Sequence, residues 1–296
     1  MRILFINQYY APDHAASAQL CGDLCEVLVA RGHEVHVVAG RTLYDGRDLR
    51  LAREEVVAGV QVHRVGPQGA RPARLRHRAA GFARFLASCL GRVHTVPRPD
   101  VVVTLTSPPL LCLLGCWLRL SRGARPVQWV LDIYPDIAVR GGVIGRWGPV
   151  RAVLSCLAWA SWRGASRLVV LGEGMREVLL AKGVSAGKVE VVPCWASGEE
   201  IVPRPREGNA FAREYLRPGA FTLMYSGNMG LCHTFTDVVE GIGLLAREGF
   251  DGEFLFVGGG QRLGEVREAL AGNPSVRFLP YQERGRLGES LTAPDA

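Results

Sequence analysis

The chain has 296 residues, 48% hydrophobic and 21% charged, with a net charge of +7 at neutral pH. Such a composition excludes a disordered polymer, and the length leaves room for two domains with real cores. A membrane-spanning helix needs roughly 20 apolar residues, and the longest apolar run, Pro108–Leu118, is about half of that.

In chain order, Ile3–Ile6 reads as a short buried strand, too short for the apolar core of a secretory leader. A loop, Asn7 to Ala16, then leads to a helix over Ser17–Arg31 that Gly32 stops. Leu20, Leu24, Val27 and Leu28 are expected to form its apolar side. Strands follow at Glu34–Ala39 and Val60–Val65, then a helix over Ala73–Arg92 with Phe82, Phe85, Leu86 and Leu90 inward. Asp100–Thr104, Val127–Leu131, Arg167–Leu171 and Val189–Val192 read as strands. The helices between them are Pro109–Arg119, Val150–Trp162 and Gly174–Lys182. Strand and helix in alternation predict a parallel sheet with helices on both faces.

Pro203 to Asn209 is polar and rich in helix breakers, so it reads as a linker between domains 1–202 and 210–296. The rhythm then restarts. Strands are predicted at Phe221–Tyr225, Glu253–Val257 and Val276–Leu279, and helices at Thr234–Arg247, Leu263–Leu270 and Glu283–Leu291. Both domains thus deliver a small-residue loop to a helix N-terminus, where free N–H groups and the helix dipole favour a phosphate. Three strands are fewer than a Rossmann-like half usually has, and Leu291–Ala296 reads as the lead-in to another strand. The expectation is therefore an α/β protein whose second domain is incomplete.

Charge is uneven: residues 1–205 carry +10 and residues 206–296 carry −3. Between Glu55 and Asp100 there is no acidic residue, while Arg64, Arg71, Arg74, Arg76, Arg78, Arg84, Arg92 and Arg98 all fall there. Such a block suits an anionic membrane or a phosphorylated acceptor, or is a solvated face. Nucleic acid fits less well, because Phe82 and Phe85 stand at core-packing spacing within it. Eight cysteines include Cys21/Cys25 and Cys112/Cys116 at i,i+4, with no CxxC pair and no zinc-ligand spacing. They read as buried reduced thiols of a cytoplasmic protein.

The succession Asn7-Gln-Tyr-Tyr-Ala-Pro12, Arg31-Gly-His-Glu-Val35, Asp132-Ile-Tyr-Pro-Asp136, Leu171-Gly-Glu-Gly-Met175, Pro193-Cys-Trp195, Tyr225-Ser-Gly-Asn-Met-Gly230, Phe256-Val-Gly-Gly-Gly260 and Leu279-Pro-Tyr281 resembles the retaining glycosyltransferases of family 4. The bacterial branch that builds cell-surface polysaccharides on a lipid carrier is the most similar in flavour. This resemblance implies a GT-B fold, two Rossmann-like domains facing across a cleft, with acceptor first and nucleotide-sugar second. It implies no cofactor and no metal, because helix N-termini and basic groups stabilise the leaving diphosphate. The partners it implies are a nucleotide-sugar donor and a lipid-linked saccharide acceptor, at the inner face of the cell membrane.

By the same resemblance, Ala15, Ala16 and Ser17 stand under the donor phosphates, where relatives have a Gly-Gly pair; the alternative is an ordinary βα turn. Gly227, Asn228, Met229 and Gly230 take the matching place in the second domain. Relatives follow that loop with Arg and Lys, whereas here His233 is the one candidate cation. Asp132, at a strand end after Leu131, either orients a reacting hydroxyl or caps the next turn; Asp136 reads as a cap. Glu173 either contacts sugar or caps the following helix. Gly258, Gly259, Gly260 and Tyr281 line the donor edge. Arg71, Arg74, Arg76, Arg78 and Arg84 are the expected membrane or acceptor contacts. Relatives also carry a Glu-x7-Glu stretch absent here, so the chain is read as a shortened form that itself transfers little or no sugar. The competing expectations are a non-catalytic remnant that binds anionic membrane or a partner, and a GT-B nucleotide-sugar epimerase.

Overall fold

The computed structural model describes residues 1–296 except 45–48, 70–74, 197, 200 and 231–232, with no side-chain description at 75–79. It divides into two compact units, Met1–Cys194 and Trp195–Ala296.

The first unit is built on β1 (Arg2–Ile6), α1 (Ala16–Ala30), β2 (Glu34–Arg41), β3 (Glu54–Val57), β4 (Val60–Gln68), α2 (Leu75–Arg92), β5 (Val101–Thr104) and α3 (Cys112–Arg122). It continues with β6 (Arg125–Val130), α4 (Asp136–Arg140), α5 (Pro149–Gly164), β7 (Arg167–Val170), α6 (Glu173–Ala181) and β8 (Val189–Val191). The strands form one eight-stranded sheet in the order β3-β4-β2-β1-β5-β6-β7-β8. Every neighbouring pair is parallel except β3 and β4. These two make a hairpin whose turn residues, Ala58 and Gly59, both have positive φ (48° and 81°). A two-residue turn of that hand matches the twist of its strands. Alanine is not the usual residue for it, and β3 was not foreseen.

α1 shows how the core is packed. The residues it buries are Ala18, Cys21, Gly22 and Cys25, a stripe of small side chains, while Val27 is exposed and the expected leucines are half-buried. Under α2, Phe85, Cys89 and Val93 join Leu4, Ile6, Val38 and Leu118 in a single cluster. Leu90, expected to face inward, is exposed. The end of α3 is closed by Gly123 at φ 70°, whose N–H reaches Arg119 O at 3.1 Å while Ala124 N–H reaches Leu118 O at 3.3 Å. That double closure satisfies carbonyls the helix leaves free.

The second unit holds α7 (Ala210–Tyr215), β9 (Thr222–Asn228), α8 (Thr236–Arg247), β10 (Glu253–Gly259), α9 (Leu263–Ala269), β11 (Val276–Leu279) and α10 (Leu287–Ser290). Its sheet is parallel, in the order β11-β10-β9. Three strands are enough for a two-faced core. Phe235, Ile242, Val266 and Leu270 cover one face, and Phe211, Leu216 and Ala293 cover the other. Residues 203–209, expected as a linker, pack into this unit: Arg206 donates to Ala220 O and pairs with Asp295, both at 2.9 Å, and Asn209 caps α7 by accepting from Ala212 N–H. The division at Cys194/Trp195 therefore lies ahead of them. Residues 295–296 run beside β9, with Ala296 O accepting from Met224 N–H at 2.8 Å and Asp295 N–H donating to Thr222 O at 3.0 Å.

Candidate active site

In an open parallel sheet, ligands bind beyond the carboxyl ends of the strands where the strand order reverses. Here that point lies between β1 and β5, and the loops from Asn7 to Ala15 and from Leu105 to Leu111 rise from it. Buried polar side chains gather on these loops. Asn7 is fully buried and its Nδ2 donates to Tyr9 O at 2.7 Å, while its Oδ1 has no partner among the described residues. Gln8 Oε1 is in the same condition. Thr106 Oγ1 accepts from the N–H groups of both Leu131 and Asp132, at 3.2 Å each, and so ties the β5 end to the β6 end.

α1 opens onto this edge. Its cap, Ala15, has extended backbone and no side chain caps the helix. Asp13 stiffens the approach by accepting from Ala15 N–H at 2.8 Å and from Tyr44 N–H at 2.7 Å. Ala16 is exposed and Ser17 half-buried. The first N–H groups of the helix therefore face outward from a turn of small residues, the arrangement that accommodates an anion.

Asp132 follows β6 on the same edge. Burial raises its carboxyl above the ordinary aspartate value. Its carboxylate has no hydrogen-bond partner among the described residues, so the capping alternative finds no bond to support it. Asp136 begins α4 and pairs with Lys182 at 2.8 Å. Glu173 is the first residue of α6, is exposed and pairs with Arg176 at 3.2 Å. It shares the strand-end edge of the sheet with Asp132 but not its burial.

The basic block disperses. Arg64 is buried against Glu55 and its Nη2 reaches Ala11 O, so it braces the loop after β1. Arg92 pairs with Glu54, and Arg98 donates to Arg122 O at 2.7 Å. Arg71 and Arg74 lie outside the described residues, Arg76 and Arg78 have no side-chain description, and Arg84 is exposed. Five of the seven described cysteines are buried or half-buried; Cys156 and Cys194 are exposed, against expectation. No cluster of metal-binding side chains occurs among the described residues.

The second unit places its candidates at the carboxyl ends of β9, β10 and β11. Gly227 has φ 154° and Gly258 φ 132°. A β-carbon at Gly258 would stand 2.1 Å from Gly227 O, and one at Gly260 would stand 2.4 Å from Met229 O. These strands approach so closely that only glycine fits. Tyr281 leans across Gly259, its hydroxyl 3.4 Å from Gly259 O and from Asn228 Oδ1. The Tyr225 hydroxyl donates to Asn228 O at 3.1 Å and lies 3.1 Å from His233 Nδ1.

Met229 departs from its expected role. Its side chain is fully buried, its N–H donates to Gly259 O at 2.7 Å, and its carbonyl accepts from Arg262 N–H at 3.0 Å. It holds the glycine loops together and has no free N–H for a phosphate. Arg262 was overlooked. It sits two residues beyond Gly260, half-buried, with its guanidinium on Glu265 at 2.9 Å. An arginine just after a glycine run at a strand end was the available signal.

Comparison with known proteins agrees with this architecture. The chain is 28% identical over 190 residues to a probable glycosyltransferase, WbjE, of Pseudomonas aeruginosa, covering 64% of this chain and 46% of that protein. It is 25% identical over 315 residues to a putative colanic acid biosynthesis glycosyl transferase, WcaI, of Escherichia coli, covering all of this chain and 75% of that one. Among solved structures, sucrose-phosphate synthase from Thermosynechococcus elongatus superposes with a TM-score of 0.70 at 18% identity, over all of this chain and 74% of that one. The Anabaena protein HepE, solved with UDP and glucose, superposes at 0.64 and 15% identity, over all of this chain and 72% of that one. Both likenesses are likenesses of fold. The family described as the glycosyl transferase 4-like domain matches residues 17–195, more than half of the chain, and the chain belongs to that family.

Proposed function

We propose that the protein transfers a sugar from a nucleotide-sugar donor to a lipid-linked or polysaccharide acceptor in cell-envelope glycan synthesis, as a hexosyltransferase that retains anomeric configuration. The observation that carries this reading is the unpartnered, partly buried Asp132 carboxylate on the same strand-end edge as the uncapped start of α1, within the family match. In the reaction an acceptor oxygen bonds to the anomeric carbon, the bond from that carbon to the diphosphate breaks, and the acceptor proton passes to the departing diphosphate oxygen, which keeps the electron pair of the broken bond. Asp132 holds the reacting hydroxyl by accepting its hydrogen bond. Ala16 and Ser17 offer backbone N–H groups to negative charge that develops on the leaving diphosphate, and Ala15, whose own N–H is held by Asp13, keeps the turn small.

The second unit holds the nucleotide. The backbone of Gly227, Asn228 and Gly230 approaches the diphosphate, with His233 and Arg262 as the cations at hand. Gly258, Gly259 and Gly260 leave room for the donor, and Tyr281 presents an aromatic face at its edge. Glu173, exposed on the same strand-end edge as Asp132, is the proposed sugar contact within the first unit. The relative named for colanic acid biosynthesis and the UDP-bound structural neighbour support pathway class and donor. No metal or cofactor enters this scheme, and the work is placed at the inner membrane surface.

The test is transfer of radiolabelled sugar from a panel of UDP-, ADP- and GDP-sugars to lipid-linked acceptors, beside calorimetric titration with the three nucleoside diphosphates. Saturable binding of one diphosphate with turnover of its sugar is expected. Absence of both binding and turnover would overturn the reading, and binding without turnover would leave the non-catalytic alternative.

A further inference from the structure

Helix α5 is inside out for a helix of a globular domain. Among its 16 residues the only charged ones are Arg151 and Arg163. Its inner side, Ala158, Ser161 and Trp162, packs toward the sheet. The outer side should be polar. Instead Ala152, Val153, Cys156, Trp159 and Ala160 are exposed, with Val153 at 57%. The segment before the helix continues this surface with Trp147 at 83% and Val150 at 60%.

Charge along this segment has one sign. No acidic residue occurs between Asp136 and Glu173, while Arg140, Arg146, Arg151, Arg163 and Arg167 do. None of the first four has an ion pair among the described residues. Two of them stack on the exposed indoles, Arg151 at 5.8 Å from the Trp147 centroid and Arg163 at 4.7 Å from that of Trp159. Beside Trp159 a cavity of about 200 Å³, lined also by Trp162, Gly183, Val184 and Lys188, opens next to these cations.

We infer that the outer face of α5, with Trp147 and Val150 ahead of it, docks on the surface of an anionic bilayer. A helix of this length lies flat over roughly 24 Å. Exposed valines enter the acyl boundary, indoles settle at the headgroup level, and arginines meet lipid phosphates. The alternative of a second copy is disfavoured by charge, since this face would bring arginines together with no carboxylate to receive them. The surface deepens the reading of a membrane-borne acceptor and rests on it for its purpose, but its test reads binding alone. It is a surface separate from the contacts expected at Arg71, Arg74, Arg76, Arg78 and Arg84.

Sedimentation with vesicles of phosphatidylcholine, with and without about a third phosphatidylglycerol, tests the surface at low and high salt. Partitioning is expected to be at least about tenfold stronger on the anionic vesicles and to fall several-fold at high salt. Val153→Glu should lower it by about tenfold or more, and the pair Arg146→Glu with Arg151→Glu by a similar factor. Arg84→Glu should change it less than about twofold. Because Arg84, Arg146, Trp147 and Val153 are exposed and Arg151 is half-buried with no ion pair among the described residues, the variants should melt with wild type. Acyl-chain bromination should quench tryptophan fluorescence less in Trp147→Phe. Wild-type partitioning by a folded Val153→Glu variant would overturn the inference. So would equal binding to neutral and anionic vesicles, or a dimer that Val153→Glu dissolves while vesicle binding is absent. None of these readouts depends on sugar transfer.

Discussion

The two units reach similar strand-loop-helix junctions by different chemistry. In the second unit the cost is in the backbone: Gly227, Gly258 and Gly260 hold positive φ, Gly258 and Gly260 at contacts too close for a β-carbon, and Met229 bolts the loops together. In the first unit the corresponding turn uses alanines with ordinary backbone angles, and the cost is in polar groups without partners among the described residues: the buried oxygens of Asn7 and Gln8 and the half-buried Asp132 carboxylate. On the proposed function, a loop that only has to admit a ligand's phosphate is satisfied by conformation, whereas one that has to act on a hydroxyl needs polar side chains kept available, and the fold tolerates their burial there.

Single substitutions at the most constrained points should separate these two kinds of cost. Gly258→Ala should destabilise the second unit by about 3 kcal/mol or more, because overlap with Gly227 O adds to a strained φ. Ala15→Gly should change the first unit by less than about 1 kcal/mol, since its angles suit either residue. Denaturant titration followed by limited proteolysis of each unit reads both. A stable Gly258→Ala variant would break the conformational account of the second unit.

Asp132→Asn should lower transfer about 100-fold while raising the melting temperature by about 1–3 °C. Burial raises the folded carboxyl above its unfolded value, so the folded state binds the proton more readily. The carboxylate therefore costs stability at neutral pH, and that cost is relieved as pH falls through the raised value. Backbone support does not depend on the carboxylate, because Thr106 holds the N–H groups of residues 131 and 132. A lower melting temperature would mark Asp132 as structural.

Much of this architecture was legible because parallel strands buried on both faces leave near-continuous apolar runs, such as Ile3–Ile6 and Phe254–Val257. The hairpin strand β3 was not, because Ala58-Gly59 lacks the usual turn signal. Nor was the inward face of α1, where small residues win through close approach to the sheet rather than through hydrophobicity. At the candidate site, Asp132 and the glycine loops could be read from residue type at a strand end. Asn7, Gln8, Thr106 and Arg262 could not, since their standing comes from burial and partners. Within the arginine block, sequence proximity says nothing of which guanidiniums turn inward, as Arg64 does.

A smaller effect falls on binding. Gly227→Val should weaken nucleoside diphosphate affinity about tenfold, because a branched side chain at φ 154° shifts the loop that approaches the phosphates. The first unit should melt unchanged. Calorimetric titration of the folded variant checks this, and unaltered affinity would remove the loop from the nucleotide site.

The smallest effect sharpens the comparison through pH. His63 lies on β4, its Nε2 3.0 Å from His36 Nδ1 and the two rings stacked 5.3 Å apart. Glu54 meets its Nδ1 at 2.6 Å, and Arg92 lies 2.7 Å from the same nitrogen. Burial, the leading cause, lowers the His63 pKa, against the pull of Glu54 and with the help of Arg92. With the folded value below the unfolded one, the unfolded chain takes up the proton first. Stability of the first unit is therefore full above the unfolded value of about 6.5 and falls as pH drops below it, by at most about 1.4 kcal/mol per pH unit for one proton. The second unit buries no histidine among its described residues, so it should show no such slope between about pH 5 and pH 6.5. His63→Phe, which keeps a ring against His36, should flatten the slope of the first unit. Unit-resolved hydrogen exchange across that window measures it. A slope that survives the substitution would place the pH response elsewhere in the buried polar set of the first unit.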